Sequence, residues 1–189
     1  PFIVKPVRED GSFGITSQSV VKSVSEAEAQ VVHIHEAYQQ SALVEEYIEG
    51  RELTATLIDS PPRILGIGEV DFGGLPKGEP KIISYRAKWT KESSVRVNFP
   101  AQIEPGLKTR LEKIAVKAFQ LFGCRDYARI DFRVSENRRP YILEINPNPD
   151  ISPEEEFGDS ARVAGMTYLN LIKNIVENTL RRGARPDFD

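Results

Sequence analysis

The sequence is short of residues on which several common kinds of catalytic and binding site depend. It has one cysteine, Cys124, so a disulfide framework is excluded and a reducing compartment is the simple interpretation. Cys124 has no obvious base beside it, which predicts a small packing residue rather than a nucleophile. The only histidines, His33 and His35, fall in one helical region, so a histidine-based triad or zinc site is poorly supported.

Long apolar runs and a strong net charge are also missing. No segment approaches the apolar length that spans a bilayer, and no signal peptide is visible. The formal net charge of -3 gives no reason to expect a nucleic-acid or membrane-surface partner. The 189 residues are 40% hydrophobic and 28% charged, a globular composition with enough chain for one sizeable core or two small ones. We predict a cytoplasmic protein.

Two short runs rich in β-branched, aromatic and aliphatic residues, 131–133 and 141–146, flank a polar turn. This pattern predicts a β-hairpin. Antiparallel pairing can bring the strand ends together, so that Asp131 can face Glu144 and Asn146, which share one face of their strand. Two carboxylates and an amide oxygen form a hard-oxygen site suited to Mg²⁺ that is also bound by phosphate. Each residue alone could be an ordinary strand-end residue, but three in apolar strands favour the metal.

The N-terminal segment combines a short strand with a glycine-containing loop. Residues 2–4 predict a buried strand that ends in Lys5, which could contact phosphate but in isolation is better interpreted as a surface lysine. The loop 8–15 contains Gly11 and Ser12, and the backbone N–H groups of such a loop can wrap nucleotide phosphates. A simple hairpin turn is the alternative. The pattern is not Walker A, because the lysine precedes the glycines.

Residues 43–48 and 51–58 predict two strands with a glycine break between them. A hinge between two lobes would have this pattern, and so would a simple hairpin. With a hinge, a bound adenine could contact backbone groups around Glu46 and Ile48. Residues 64–72 predict a further strand.

Three helices are predicted from apolar periodicity. The first follows Ser25, a predicted N-cap, and runs to about Gln40. The second begins at Pro105, ends at Gly123 and is expected to pack against the sheet that carries the hairpin. The third covers 166–180. The residues expected to face inward are Ala29, Val32 and Ala37 in the first helix, Leu107, Leu111, Ile114, Ala118 and Leu121 in the second, and Leu169, Ile172, Ile175 and Val176 in the third.

Three basic or aromatic residues are candidates for phosphate and substrate contacts. Lys88 and Trp89 end a strand-like run that begins at Ile82. They could close over phosphate and substrate, although neither residue in isolation is strong evidence for this role. Arg129 precedes Asp131 by two positions and shares its face. Its cation could balance phosphate charge, or it could simply pair with the carboxylates.

The stretch 147–157 is stiff and acidic and directly follows Asn146. Its prolines fix the path of the chain just beyond the proposed metal. A phosphoryl-transfer site needs such a rigid wall for the acceptor, whereas the alternative interpretation is a linker.

Six segments stand in a fixed order along the chain: Ile3-Val4-Lys5-Pro6, 45–52, Ala87-Lys88, 123–133, 141–149 and 161–165. In composition and spacing they resemble the ATP-grasp enzymes, and within them the D-alanine–D-alanine ligases, from Phe2 to about Leu180. The fold that this resemblance implies is α+β, a mainly antiparallel sheet packed by helices, with part of a smaller glycine-loop lobe at the N-terminus. The implied domains are a partial small lobe or lid at 1–50, a core lobe with the metal site at 51–183, and a tail at 184–189.

The implied activity is ATP-dependent carboxylate–amine ligation, in which a C–N bond forms through an acyl phosphate. The implied cofactors are ATP and two Mg²⁺ ions, with Mn²⁺ as an option. The implied roles are phosphate binding for Lys5 and Ser12, adenine binding for Glu45, Glu46 and Ile48, ribose binding for Glu52, contact with the transferred phosphoryl group for Lys88, transition-state stabilisation for Arg129, and Mg²⁺ binding for Asp131, Glu144 and Asn146.

Departures from the family pattern cluster where the amino-acid substrates bind. Trp89 replaces the usual tyrosine, Asp150 replaces the glycine of the usual Pro-Gly, and Glu155 stands where a serine is expected to bind the carboxylate of the acceptor. The glycine loop also departs, with Asp10-Gly11-Ser12 for the usual Gly-Ser-Ser. A glutamate repels a carboxylate and attracts an amine or guanidinium. We therefore expect an acceptor other than D-alanine, with a cationic acceptor as one option.

Two alternatives stay open: a different ATP-grasp ligase, and a non-catalytic nucleotide-binding or scaffold fragment. The family's N-terminal domain and a further phosphate lysine are not in this sequence, so we expect this chain alone to bind nucleotide weakly without turnover. The expected partners are ATP and amino-acid or peptide substrates, with a homodimer as an option and with neither nucleic acid nor membrane.

Overall fold

A computed structural model describes residues 1–90 and 95–183. Residues 91–94, shortly after the predicted strand-like run, and the predicted tail at 184–189 lie outside the described residues. In chain order the elements are β1 (Phe2–Pro6), a 3-10 turn (Ser17–Ser19), β2 (Val20–Val21), α1 (Val24–Tyr38), β3 (Ala42–Glu46), β4 (Gly50–Ile58), β5 (Arg63–Asp71), α2 (Tyr85–Trp89), β6 (Arg96–Asn98), α3 (Pro105–Leu121), β7 (Tyr127–Ser135), β8 (Pro140–Asn146), α4 (Glu156–Val163) and α5 (Tyr168–Arg182).

The strands form two sheets. One has the order β2-β1-β3 and the other has the order β6-β5-β4-β7-β8. Only three residues separate β3 from β4, yet the two strands lie in different sheets, so the hairpin alternative for this stretch is excluded. The chain divides into two compact units, Pro1–Glu49 with Asp71–Arg96, and Gly50–Val70 with the residues from Val97 onward. The predicted lobe limits at 1–50 and 51–183 remain a prediction.

In the first unit, α1 packs on the small sheet with a different face from the one predicted. Ala27 and Ile34 are buried against Val4 and Val21, whereas the predicted inward residues Ala29, Val32 and Ala37 are exposed. The N-cap is also wrong by two residues. The Ser23 hydroxyl, not that of Ser25, accepts the Glu26 N–H at 3.2 Å.

The strand-like run predicted over 82–89 is wrong, because its second half is the short helix α2. The Ser84 hydroxyl accepts the Ala87 N–H at 3.2 Å, and the Tyr85 N–H donates to the Ile15 carbonyl at 3.0 Å. The first bond is a local helix cap, and the second is a tether to a segment far away in sequence. Lys88 and Trp89 therefore belong to the last turn of a helix rather than to the end of a strand.

The core of the second unit forms where α3 packs on β4 and β7, as predicted. Leu111, Ala115, Ala118 and Phe119 meet a row of strand residues that includes Leu53, Ala55, Ile130 and Phe132. Leu121 was predicted to face inward, but it is 72% exposed, and Phe119 fills that part of the core. Gly123 has a φ of +63°, the left-handed conformation expected of a residue that ends a helix. Burial raises the pKa of the half-buried Cys124 thiol, which suits a packing residue.

The last helix, α5, turns a mixed face toward the core. Leu171 is fully buried and Ile175 is partly buried, but the predicted inward residues Leu169 and Val176 are 74% and 51% exposed. The same side of the helix carries Asn178, whose amide donates to Asp59 at 3.0 Å. The hydrogen bond from Asn178 thus helps to hold α5 against the rest of the unit. Apolar periodicity alone predicted that Leu169 and Val176 would do this. Among the described residues, none of the helices combines the length and apolarity needed to cross a membrane.

The predicted hairpin is formed by β7 and β8. The two strands are antiparallel, with Asp131 opposite Glu144 and Arg129 opposite Asn146. Asp131 lies in the middle of β7 rather than near its start, because the strand begins at Tyr127. Side chains alternate along β7, so its charged residues lie on the sheet face that α3 does not cover.

Candidate functional site

The face of the five-stranded sheet opposite α3 is polar in its central part. We use the term polar face for the set Glu52, Thr54, Arg129, Asp131, Arg133, Glu144 and Asn146 on the strands together with Glu156 on α4. Strand register brings the first seven side chains to one side of the sheet, because β4 pairs with β7 and β7 pairs with β8.

Arg129 is the centre of the polar face. Its Nε and Nη2 atoms donate to the Asp131 carboxylate at 3.0 and 2.9 Å, and Nη1 donates to Glu156 Oε2 at 2.7 Å. Asp131 also accepts the Thr54 hydroxyl at 2.8 Å. The Arg129 and Asp131 side chains are each 16% exposed. The prediction that Arg129 shares a face with Asp131 is confirmed, and in this arrangement its cation pairs with carboxylates.

The electrostatics of Arg129 reflect two opposing effects. Burial lowers the pKa of the guanidinium, but the nearby charges of Asp131 and Glu156 raise it by more, so the pKa lies above its usual value. Arg129 is therefore a permanent cation, and its fork-shaped donor set is fixed by carboxylates on two sides.

Glu52 and Arg133 form a second charged pair on the polar face. Arg133 Nη2 lies 2.9 Å from Glu52 Oε2, and the two residues are 4% and 8% exposed. Burial raises the pKa of the Glu52 carboxyl to about 7, although the Arg133 charge opposes this shift. The structure thus places Glu52 on the polar face, in contact with an arginine. A role in ribose binding stays a prediction.

The donor set proposed for Mg²⁺ lies at the β7–β8 end of the polar face. Asp131 and Glu144 are direct register partners, so their Cβ atoms lie about 5 Å apart. Glu144 is exposed, and the Asn146 amide oxygen accepts the Asn148 N–H at 3.0 Å. The part of the chain that the structure describes holds no cluster of three or more His, Cys, Asp or Glu side chains poised around a metal.

The chemistry of these donors nevertheless fits Mg²⁺. Carboxylate and amide oxygens are the ligands this ion prefers, and it commonly takes only one or two carboxylates from protein when phosphate supplies the rest. Two carboxylates on adjacent strands meet that requirement without a third acidic group. Metal binding by Asp131, Glu144 and Asn146 remains a prediction.

The first unit holds the residues predicted to contact phosphate and adenine. Lys5 on β1 and Glu45 on β3 form an ion pair, with 2.5 Å between Nζ and Oε2, so these two predicted site residues lie together. Glu46 ends β3 opposite Phe2, and Ile48 follows in the short link before β4. The exposed fractions of the Lys5 and Glu45 side chains, 28% and 45%, leave both reachable from solvent.

The glycine loop and α2 are joined in the first unit. The Trp89 Nε1–H donates to the Gly11 carbonyl at 2.8 Å, and the Lys88 Nζ lies 5.5 Å from the centroid of the Trp89 ring. Gly11 and Ser12 have φ values of +56° and +66°, so the loop has the left-handed turn that a glycine accommodates. Trp89, predicted as a substrate residue, contacts the loop through its ring nitrogen while 60% of the residue is exposed.

The acidic stretch after β8 is fixed by local bonds. The Asp150 carboxylate accepts the Ser152 N–H at 2.8 Å, and hydrogen bonds with the Ser152 side chain and then with its backbone lower the pKa of Asp150. Glu155 is the N-cap residue of α4 but makes no side-chain cap, and it is exposed. Tyr127 donates to the Asn148 side chain at 2.7 Å, so the segment follows the end of the sheet closely.

Three residues of the polar face, Thr54, Arg133 and Glu156, were not among the predicted site residues, and Thr54 was noted only within the predicted strand 51–58. Glu156 was noted only as part of the acidic stretch, and Arg133 only as part of the first strand of the hairpin. A usable signal was present for Glu156, because an acidic residue directly before the apolar Phe157 suits the first turn of a helix. For Arg133 the signal was its alternation with Asp131 along one strand.

Comparison with known proteins gives one consistent family. The family model described as D-ala D-ala ligase C-terminus matches residues 1–177. An uncharacterized protein, y4sG, of Sinorhizobium fredii is 36% identical over 183 residues, which cover 96% of this chain and 53% of that protein. A D-alanine–D-alanine ligase of the same organism is 35% identical over 181 residues, covering 94% of this chain and 56% of the ligase.

Solved structures agree on the fold. The D-alanine–D-alanine ligase of Bacillus anthracis complexed with ATP superposes with a TM-score of 0.71 at 22% identity, covering 96% of this chain and 53% of that chain. The present chain spans about half the length of the curated relatives it matches. The resemblance and the α+β fold predicted from the sequence are both confirmed. This chain belongs to the D-alanine–D-alanine ligase C-terminal family and has the corresponding part of the ATP-grasp fold.

Proposed function

We propose that the native polypeptide containing this chain is an ATP-dependent carboxylate–amine ligase that forms a C–N bond. The observation that carries the proposal is the arrangement around Arg129, a largely buried guanidinium held by Asp131 and Glu156 with Glu144 opposite Asp131. Family membership supports ATP as a substrate beside the carboxylate and the amine.

The charge balance of the polar face supports the binding of a divalent cation. The carboxyl groups of Asp131, Glu144 and Glu156 outnumber the guanidinium groups of Arg129 and Arg133, even without Glu52, whose pKa is raised to about 7 by burial. The excess of negative charge attracts cations to a face that is partly shielded from solvent. Asp131, Glu144 and Asn146 would hold Mg²⁺, which when bound would neutralise phosphate charge.

The proposed reaction has two steps. In the first, an oxygen of the substrate carboxylate forms a bond to the γ-phosphorus of ATP while the bond to the bridging oxygen breaks, which gives an acyl phosphate and ADP. In the second, the amine nitrogen attacks the acyl carbon, loses a proton, and phosphate leaves. Such phosphoryl transfers depend mainly on positioning and charge stabilisation.

The residues of this chain divide these tasks. Arg129 stabilises charge on the transferred group, because its guanidinium is held in place by Asp131 and Glu156 and needs no reorganisation. Lys88 contacts the same group, and Lys5 and Ser12 bind phosphate. The adenosine portion is held by Glu45, Glu46, Ile48 and Glu52.

We further propose that the acceptor is cationic rather than D-alanine. Glu155 is exposed and does not cap its own helix, so its carboxylate is available to a ligand. An exposed carboxylate at this position favours an amine or guanidinium group and disfavours the carboxylate end of an amino acid. Trp89 and Asp150 are further candidates for substrate contacts.

The test is Mg²⁺-dependent release of ADP by the native polypeptide, measured against a panel of amino acids and dipeptides. We expect release with a basic amino acid and little with D-alanine. Release with D-alanine alone would contradict the cationic acceptor and leave the ligase proposal in place. Measurable ATP binding without release for any acceptor would contradict the ligase proposal and favour a nucleotide-binding module.

A further inference from the structure

We propose that Glu156 is a positioning residue, one that keeps the Arg129 guanidinium in place on the polar face while Asp131 engages a divalent cation. The inference rests on the proposed function, since it concerns what happens to Arg129 when a cation occupies that site. It goes beyond that function because it assigns a role to a residue outside the predicted donor set.

The first step of the argument is the geometry of the guanidinium. Arg129 uses Nε and Nη2 for Asp131 and Nη1 for Glu156, so its two anchors lie on different edges of the planar group. Asp131 is the shared residue, because it is also a direct register partner of Glu144. A cation that draws on the Asp131 carboxylate competes with Arg129 for the same oxygens. Glu156 then remains as the anchor that does not belong to the donor set.

The second step is that Glu156 is held where it is by its neighbours in α4. Phe157 is fully buried, and the Arg162 Nη1 donates to the Pro153 carbonyl at 2.8 Å. A Cβ atom on Gly158 would lie 2.2 Å from that same carbonyl oxygen, so only glycine allows this close approach. The first turn of α4 is therefore fixed independently of Glu156.

The third step is that α4 does not need the ion pair in order to dock. Its apolar anchors, Phe157 and Ala161, lie in a core cluster with Ile58, Leu65 and Leu171. Pairing a carboxylate with a buried cation contributes little net stability compared with apolar packing. The Glu156 side chain is 25% exposed and reaches Arg129. Holding the guanidinium in place explains this contact better than a contribution to stability does.

The experiment measures rotation of the Arg129 guanidinium by NMR in the 189-residue chain, before and after addition of Mg²⁺ alone. The Arg129 signals are assigned by their loss in Arg129→Lys. Rotation requires the Nη bonds to break, so we expect it to be slow in the wild-type chain under both conditions. In Glu156→Gln we expect it to become roughly tenfold faster once Mg²⁺ is present. Glu156→Asp, which keeps the charge but cannot span the distance, should show the same loss.

Glu154→Gln is the matched control, because Glu154 is an exposed glutamate of the same stretch. It should leave the rotation unchanged. Unchanged rotation in both Glu156→Gln and Glu156→Asp would overturn the positioning role. The NMR readout needs no turnover, so it separates this inference from the ligase proposal. Ligase activity absent from the native polypeptide, with rotation still dependent on Glu156, would overturn the catalytic proposal alone.

A kinetic readout sharpens the same inference in an active enzyme. Glu156→Gln should lower kcat for ADP release roughly tenfold with little change in KM for ATP, because a loosened Arg129 affects the transition state more than substrate binding. An increase in KM alone would assign Glu156 to substrate binding and overturn the positioning role.

Discussion

The two faces of β7 are built from different chemistry. One face carries Ile130 and Phe132, which are fully buried against α3. The other carries Arg129 and Asp131, whose charges are paired with each other and with Glu156. Apolar burial is the larger source of stability, whereas a buried ion pair is weak evidence for it. The comparison teaches that the strand is held by one face and that the charges on the other face call for a functional explanation.

The largest expected effect is on the apolar face. Phe132→Ala should lower the free energy of unfolding by about 3–5 kcal/mol, because it removes a fully buried ring and leaves a cavity. Denaturant unfolding measures this directly. The matched control is Phe122→Ala, since Phe122 is 71% exposed and its loss should cost less than about 0.5 kcal/mol. Similar losses for both variants would contradict the placement of the core.

The next effect concerns pH and Glu52 on the polar face. Its carboxyl ionises near 4.5 in the unfolded chain and near 7 in the folded one, because burial disfavours the charged form. Between these values the folded state holds more protons, so the free energy of unfolding falls as pH rises, by up to about 3 kcal/mol. Unfolding measured from pH 4 to 8 should show this slope in the wild type. A slope of equal size in Glu52→Gln would assign it to other groups.

A smaller effect separates chemistry from stability on the polar face. Arg129→Lys keeps the cation but loses the fork that contacts two carboxylates, so ADP release by the native polypeptide should fall roughly 100-fold. The free energy of unfolding should change by only about 1 kcal/mol, because the charges remain neutralised. Arg138→Lys is the control, as Arg138 is an exposed arginine of the same hairpin. Equal rates for the two variants would remove Arg129 from the reaction.

The smallest effect tests one hydrogen bond. Thr54→Val removes the hydroxyl that donates to Asp131 at 2.8 Å while preserving the side-chain shape. We expect a loss of about 1 kcal/mol in the free energy of unfolding, since Asp131 keeps Arg129 as a partner. Denaturant unfolding of Thr54→Val and the wild type, as for Phe132→Ala, measures this loss. A loss as large as that of Phe132→Ala would mean that the polar face contributes to the fold as much as the apolar one.

The sequence predicted the elements whose evidence is local. The hairpin followed from two apolar runs around a polar turn, and α3 followed from Pro105, its apolar stripe and Gly123. The polar face was predictable in part because Arg129 and Asp131 alternate along one strand. These features depend on spacing within about twenty residues.

The errors came from bonds between distant parts of the chain. α2 forms where Tyr85 bonds to Ile15, and α5 docks through Asn178 and Asp59, 119 residues apart. Apolar periodicity gives no sign of a polar contact between distant residues. The face of α5 predicted to point inward therefore included apolar residues that are exposed in the structure. Glu156 was missed for the same reason, because its partner Arg129 lies 27 residues away on another element.

The most direct test of the account is Mg²⁺-dependent ADP release by the native polypeptide with Glu144→Gln. Glu144 faces Asp131 from β8 and is exposed, so its change should leave the fold intact while removing a carboxylate proposed to bind Mg²⁺. We predict at least a roughly 100-fold loss of release, with the Tm unchanged and with normal release in the control Glu136→Gln at the turn of the same hairpin. Release at the wild-type rate in Glu144→Gln would contradict the assignment of the polar face as the metal-dependent site.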